Sequence, residues 1–217
     1  MYLSKNITVM ENIKSKSIGN QLITAIHRQK PGKLFFSNDF MHIGSAEAVN
    51  MAFSRLAKAK ELERLGKGIY LYPKQDPELG TLYPSLETVA EAIAEKEKVK
   101  IKPTGASALN KLGLSTQVPM KVTYLTDGSP RKIKVGNGTI TFKRVPPKKL
   151  AAKGQLTFLA IQALLEMGKP AVNDAVIKRL TEVLKKEGSE TILKDAKLAP
   201  GWIASIFYSI AKKMNHD

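Results

Sequence analysis

The chain has 217 residues, with 35 Lys+Arg against 19 Asp+Glu, a net charge of +16 and no cysteine. The missing thiols exclude disulfides, cysteine-ligated zinc and thiol catalysis, and a positive surplus of this size attracts phosphates and steers them in, which points to a polyanionic partner, nucleic acid or an acidic protein. No stretch approaches the roughly 18 apolar residues of a membrane span, and the start MYLSKNITVMENIKSK has no apolar core of signal-peptide length, so the expected setting is the cytoplasm, with no membrane partner.

Residues 1–18 read as an N-terminal extension. From Gly19 to Gln29, Leu22, Ile23 and Ile26 fall at helical spacing, and Pro31-Gly32 stops the run. Phe35-Phe36 is a short apolar entry. Ser37-Asn38-Asp39 then caps a second, short helix carrying Phe40, Met41 and Ile43 and ending at Gly44. Ser45 caps a third helix. Its Val49, Ala52, Phe53 and Leu56 recur at i, i+3, i+4 and i+7, which gives one buried face, while Asn50, Ser54 and Lys58 lie opposite, with Glu47, Met51 and Arg55 beside them. Strand patterns at Leu62–Leu65 and Ile69–Tyr72 flank Gly66-Lys67-Gly68. Over residues 19–74 the order is helix, short helix, helix, hairpin, which is the order of a winged helix-turn-helix.

The stretch PKQDPELGTLYP, residues 73–84, has three prolines and a glycine, so a linker is expected at 75–84. A second domain follows over 85–217. Ser85 to Lys98 predicts a helix striped by Leu86, Val89, Ala90 and Ile93, and Ala106 to Leu112 a short one closed by Gly113. Met120–Leu125 alternates as a strand, Asp127-Gly128-Ser129-Pro130 is a turn, and Lys132–Val135 pairs with Thr139–Val145 through Gly136-Asn137-Gly138. From Gln155 onward the pattern is helical, broken at Gly168, Pro170 and Gly188, with a last amphipathic helix through Trp202, Phe207 and Ile210. The expected class is α+β: an N-terminal winged helix-turn-helix followed by an α/β domain with a small antiparallel sheet and C-terminal helices.

Local motifs for catalysis are lacking. Gly66-Lys67-Gly68 is not a phosphate-binding loop, because Ile69 and a strand follow where Ser or Thr and a helix are required. His27, His42 and His216 have no second ligand at helical spacing, Glu61 and Glu63 read as solvated charges, and Asp127 reads as a turn former. No metal, cofactor or catalytic residue is therefore expected, and the chain does not read as an enzyme. A nuclease would require clustered carboxylates around a divalent ion.

Double-stranded DNA is the better match. In a winged helix the third helix presents its N-terminal part to the major groove, and flanking basic residues hold phosphates. Ser45, Ala46, Asn50 and Ser54 supply the small and polar side chains needed there, and the Asn50 amide has the donor–acceptor pair that reads adenine. Arg55, Lys58 and Lys60 suit phosphates. Arg64 lies on the rising strand of the hairpin and Lys67 at its tip. Through residue 75 there are 12 basic against 5 acidic residues, so the surplus of +7 there leaves +9 for the remainder and is not confined to this module.

Gly44-Ser45, Ala48-Val49, Ser54-Arg55-Leu56 and the run Leu62 to Tyr70, followed by PTGASALNKLGLSTQVPMKVTYLTDG at 103–128, resemble the AbiEi-type antitoxins, transcriptional regulators of type IV toxin-antitoxin systems of abortive infection. The likeness covers roughly residues 20–165. It implies a winged helix that binds inverted repeats in its own promoter, where two copies of the chain meet as a homodimer, with Ser45, Asn50, Arg55 and Lys67 at DNA-facing positions. It also implies neutralisation of a nucleotidyltransferase-like toxin. Glu47 and Met51 depart from the arginine-richer third helix of many relatives. The alternative reading is a protein-interaction module that engages such a toxin without specific DNA binding.

Overall fold

The structure is a computed structural model that describes residues 17–214; residues 1–16 of the expected N-terminal extension lie outside it, as does His216. The chain is mixed α+β and separates into two compact units, one reaching Val89 and including Ile133–Gly136, the other formed by Ala90–Lys132 and the chain from Asn137 onward.

In the first unit, helix α1 (Ile18–His27) starts where the Ser17 hydroxyl accepts the Asn20 N–H at 3.2 Å, and it buries Leu22 and Ile26. Strand β1 (Leu34–Phe36) follows. The expected second helix is a single 3-10 turn, Ser37–Phe40, and Ser37 is buried beneath it instead of capping it through its side chain. At Gly44, just before the next helix, an added Cβ would meet the Ile18 side chain. Helix α2 (Ala46–Lys58) runs next, then strands β2 (Glu63–Gly66) and β3 (Ile69–Leu71).

These three strands form an antiparallel sheet in the order β1-β3-β2, with Phe35 opposite Tyr70 on one side and Arg64 opposite Tyr70 on the other. The apolar entry Phe35-Phe36 is therefore a strand. Three residues are too few to display a period of two, which is why the sequence pattern did not reveal it. One core joins the sheet to both helices: Leu22, Ile26, Phe35, Val49, Phe53, Leu56, Leu62 and Tyr70. The stretch expected as a linker holds a hairpin of β4 (Lys74–Asp76) and β5 (Gly80–Leu82). Its turn closes on Asp76, whose carboxylate accepts the N–H groups of Glu78 and Leu79 at 2.9 Å each; these bonds hold its pKa below the usual carboxylate value. Beyond it, the Tyr83 hydroxyl donates to Glu63 at 2.8 Å, and this bond raises the phenol pKa.

The division between the units falls inside helix α3 (Leu86–Glu97), whose start is capped by the Ser85 hydroxyl accepting the Thr88 N–H at 3.0 Å. Then come β6 (Ile101–Pro103), α4 (Ala106–Lys111), β7 (Lys121–Thr126), β8 (Arg131–Val135) and β9 (Gly138–Arg144), in a sheet of order β6-β7-β9-β8. The expected antiparallel sheet is in fact mixed: β6 runs antiparallel to β7, but β9 runs parallel to β7, with Val122 opposite Ile140 and Tyr124 opposite Phe142. The reason is that β9 inserts between β7 and β8. Residues 127–130 link the outer two across it, a step of two strand spacings, about 10 Å, within the ~13 Å reach of four residues.

Four helices complete this unit: α5 (Gln155–Met167), α6 (Asp174–Leu184), α7 (Ser189–Ala196) and α8 (Gly201–Met214). Leu164, Leu180, Leu184, Ile192 and Phe207 are fully buried among them. The start of α5 has no capping side chain of its own, because Gly154 occupies the N-cap. Two distant carboxylates serve instead. Glu187 accepts from the N–H groups of Leu156 and Thr157 and from the Thr157 hydroxyl at 2.5–2.8 Å, and Asp195, 3% exposed, accepts from the N–H groups of Lys153 and Gly154 at 3.0 and 2.7 Å. A Cβ at residue 154 would meet the Glu187 carboxylate, so a side chain there would have to displace the group that caps α5. Asp195→Ala leaves two amide donors unsatisfied, and we expect it to cost about 2–3 kcal/mol, read as a lower urea midpoint at unchanged m-value; a shift no larger than that of an exposed control such as Lys197→Ala contradicts this account of the α5 start.

Candidate nucleic-acid interface

Helix α2 is positioned by its own sequence at both ends. At the start, Ser45 is extended (φ −62°, ψ 154°) and its hydroxyl oxygen accepts the Ala48 N–H at 3.3 Å. That oxygen is engaged in the cap, so what Ser45 offers outward is its O–H donor. At the end, the Lys60 N–H reaches the Ala57 carbonyl and the Glu61 N–H the Leu56 carbonyl, the paired bonds of a Schellman stop. Lys60 takes the left-handed position of that stop, with φ +63°, where glycine is the usual residue.

The inner face of α2 buries Val49, Ala52, Phe53 and Leu56. Phe53 is the largest side chain on this face, with its ring 4.8 Å from Tyr70 and 5.4 Å from Phe40. The outer face resolves into two ridges at four-residue spacing. One is Ala46, Asn50, Ser54 and Lys58, of which Ser54 is half-buried and the rest exposed. The other is Glu47, Met51 and Arg55, all exposed, with the Arg55 guanidinium 3.3 Å from the Met51 sulfur. The structure thus brings Ala46, Asn50, Ser54 and Lys58 into one line and sets Arg55 on the neighbouring line with an acid and a thioether.

The remaining basic residues sit on separate supports. Lys67 and Gly68 form the two-residue turn between β2 and β3. Gly68 has φ +69°, and its carbonyl accepts the Ser37 N–H at 3.0 Å. Lys67 is exposed at the tip. Arg64 is exposed as well, but its Nε donates to the Gly66 carbonyl at 3.3 Å, which folds the side chain along the hairpin. Behind the turn, Leu62 and Tyr70 enter the core with Phe53 and Leu56, so hairpin and α2 share one support.

Two histidines have local partners. His27 stacks on Tyr72 at 5.9 Å and its Nε2 lies 3.5 Å from a Glu61 oxygen, so the exposed Glu61 carboxylate also has a local neighbour. His42 is exposed just before α2, with Nδ1 3.0 Å from the Asp39 carbonyl. It is a further polar group beside the helix start that the sequence pattern did not single out, because no spacing rule reports on a turn residue. Among the described residues no group of three or more His, Asp or Glu side chains converges to hold a metal ion, and no helix is long and apolar enough to cross a membrane.

The sequence matches a family of unknown function, DUF6088, over residues 21–192. The chain belongs to this family. The matched span contains all of α2 and the β2–β3 hairpin, runs through the mixed sheet into α7, and leaves α8 outside it. No curated protein matches the sequence.

The left-handed backbone at Lys60 separates conformation from contact. Lys60→Gly keeps the stop of α2, whereas Lys60→Val places a β-branched side chain at positive φ, at a cost of about 1–2 kcal/mol. Chemical denaturation is expected to show the loss for the valine variant and none for the glycine variant; equal losses contradict the assignment of the stop to Lys60.

Proposed function

We propose that the protein is a DNA-binding transcriptional regulator whose first unit acts as a winged helix-turn-helix, with α2 as the recognition helix and the β2–β3 turn as the wing. The observation that carries this reading is the order of elements in that unit together with its outer ridge: α1, β1, a 3-10 turn, α2 and a hairpin, with strand order β1-β3-β2 and Ala46, Asn50, Ser54 and Lys58 aligned on the free side of α2. A ridge that is small and polar at its start and basic at its end suits base edges first and phosphate after. Ser45 adds a donor, Arg55 and Lys60 flank the ridge, and Arg64 and Lys67 supply phosphate contacts from the hairpin.

The likeness to AbiEi-type antitoxins extends this reading. The chain would bind inverted repeats in its own promoter as a homodimer, act in the cytoplasm without catalysis, and serve as the antitoxin to a nucleotidyltransferase-like toxin. A second reading, a protein-interaction module for such a toxin without specific DNA binding, is favoured by one feature of α2: Glu47 and the 54%-exposed Met51 precede Arg55 on its second ridge, so the half of that ridge nearest the helix start offers phosphates neither a cation nor a donor.

Fluorescence anisotropy across a salt series, with the chain's upstream DNA and a random duplex of equal length, separates the two. Specific DNA binding predicts a preference for the upstream duplex and a log–log salt slope of about −0.9 per phosphate contact. Arg64→Ala with Lys67→Ala then weakens both duplexes alike and flattens the slope by roughly two contacts, whereas Asn50→Ala costs about 1–3 kcal/mol on the upstream site and little on random DNA. No preference between the duplexes, together with unchanged affinity in both variants, overturns the assignment.

A further inference from the structure

The second unit holds an open cleft of about 920 Å³. It lies between one face of the sheet and one stripe of α5. Residues 121, 123 and 125 of β7 point to that face by the two-residue period of a strand, as do 143 near the end of β9 and 145 just after it, with Leu125 directly opposite Lys143. On α5 the lining positions 158, 161, 162, 165 and 166 follow helical spacing. The opposite sheet face is a packed core surface, with Val122, Tyr124, Ile140 and Phe142 buried.

The cleft has a divided chemistry. Leu125, Val145, Ile161 and Leu165 give it an apolar floor and wall. Lys121 and Lys143 from the strands and Lys148 and Lys149 from the 3-10 turn after β9 give it four ammonium groups, against Glu166 as the one acid among the described lining residues. Leu165 and Leu198 stay 47% and 38% exposed at its edge, which puts an open apolar wall beside the lysines in the same cleft.

We propose that this cleft binds an acidic, amphipathic peptide segment of a partner protein, with its apolar side chains on the Leu165–Leu198 wall and its carboxylates on the lysines. Charge complementarity selects the acidic partner. The exposed leucines select a peptide over a nucleic-acid strand, since a phosphate backbone has nothing to bury them with. A strand of bases would need an aromatic platform, and Phe158, the one aromatic ring lining the cleft, is 3% exposed with the Lys102 ammonium seated 4.5 Å over it. Lys102 is itself held there, donating to the Ala152 carbonyl at 2.6 Å. The proposal does not depend on the DNA-binding reading of the first unit, and its test uses no promoter DNA.

The probe is a fluorescein-labelled helical peptide of about 16 residues, roughly 24 Å long, made of Glu and Leu with leucines at i, i+3, i+4 and i+7. It is titrated against the full chain by anisotropy. A scrambled peptide of the same composition and a Lys-for-Glu peptide serve as controls. Binding is expected for the amphipathic acidic probe, at least tenfold weaker for the scramble, and absent for the basic peptide. Lys148→Glu with Lys149→Glu should weaken the probe tenfold or more, and Leu165→Asp similarly. The matched reversal Lys178→Glu on α6 with Lys186→Glu in the turn after it should leave it within twofold, with circular dichroism melts confirming that each variant folds. Equal binding of scramble and probe, equal loss in the α6 variant, or no binding at all overturns the proposal. So does displacement of the probe by single-stranded DNA or by millimolar inorganic phosphate in a manner abolished by the Lys148 and Lys149 reversal, since the cleft would then be an anion or nucleic-acid site.

Discussion

The stacking of Phe53 on Tyr70 is the contact on which the candidate interface depends. The two rings lie 4.8 Å apart, and Phe53 is fully buried. Burying such a ring is worth about 2–3 kcal/mol, and an aromatic pair adds about 0.5–1.5 kcal/mol. Tyr70 sits on the central strand of the β1-β3-β2 sheet, so one side chain ties α2 to the strand that holds both neighbours. With that face fixed, the four-residue ridges on the other side have only one orientation available. The polar character of Asn50, Ser54 and Lys58 then becomes a property of the surface.

Much of the first unit was legible because its signals are local. Ser45 before a run of i, i+3, i+4 apolar residues specifies a helix start, and the structure uses that hydroxyl as the cap. The Gly66-Lys67-Gly68 hairpin was legible too, with the turn narrowed to Lys67 and Gly68. Elements that are short or held by distant partners were not legible. Strands β1 and β6 have three residues each, and β6 ends on Pro103. The prolines at 73–84 suggested a linker, but Asp76 builds a turn there by accepting two backbone N–H groups, and the flanking residues pair. The expected second helix is only the four-residue 3-10 turn Ser37–Phe40, too short for a periodic pattern to fix its type. The parallel partnership of β7 and β9 has no local signature, since it arises from which strand inserts between two others.

In the second unit the same distinction applies to the ends of helices. Helix α5 starts at a glycine with no side chain to cap it, and its free N–H groups are met by Glu187 and Asp195, some 30 to 40 residues further on. Those bonds set where α5 begins and hence which stripe of it faces the cleft. Leu165 illustrates the consequence. Its spacing with Leu156, Leu159, Ile161 and Leu164 reads as core, yet it stays half exposed because its side of the helix looks onto an open sheet face. The lysines of that cleft come from β7, β9 and a turn, so only the three-dimensional arrangement groups them.

Amide hydrogen exchange of the full chain, with and without the upstream duplex, tests the central claim most directly. The first N–H groups of α2 and those of the Lys67–Gly68 turn are the ones a groove and a phosphate backbone would cover. The account predicts slowed exchange at Gly44–Met51 and Arg64–Ile69 when the duplex is added, reversed at high salt, with the β4–β5 hairpin tip at Pro77–Leu79 unchanged. Protection that leaves α2 untouched while appearing elsewhere in the chain would contradict it.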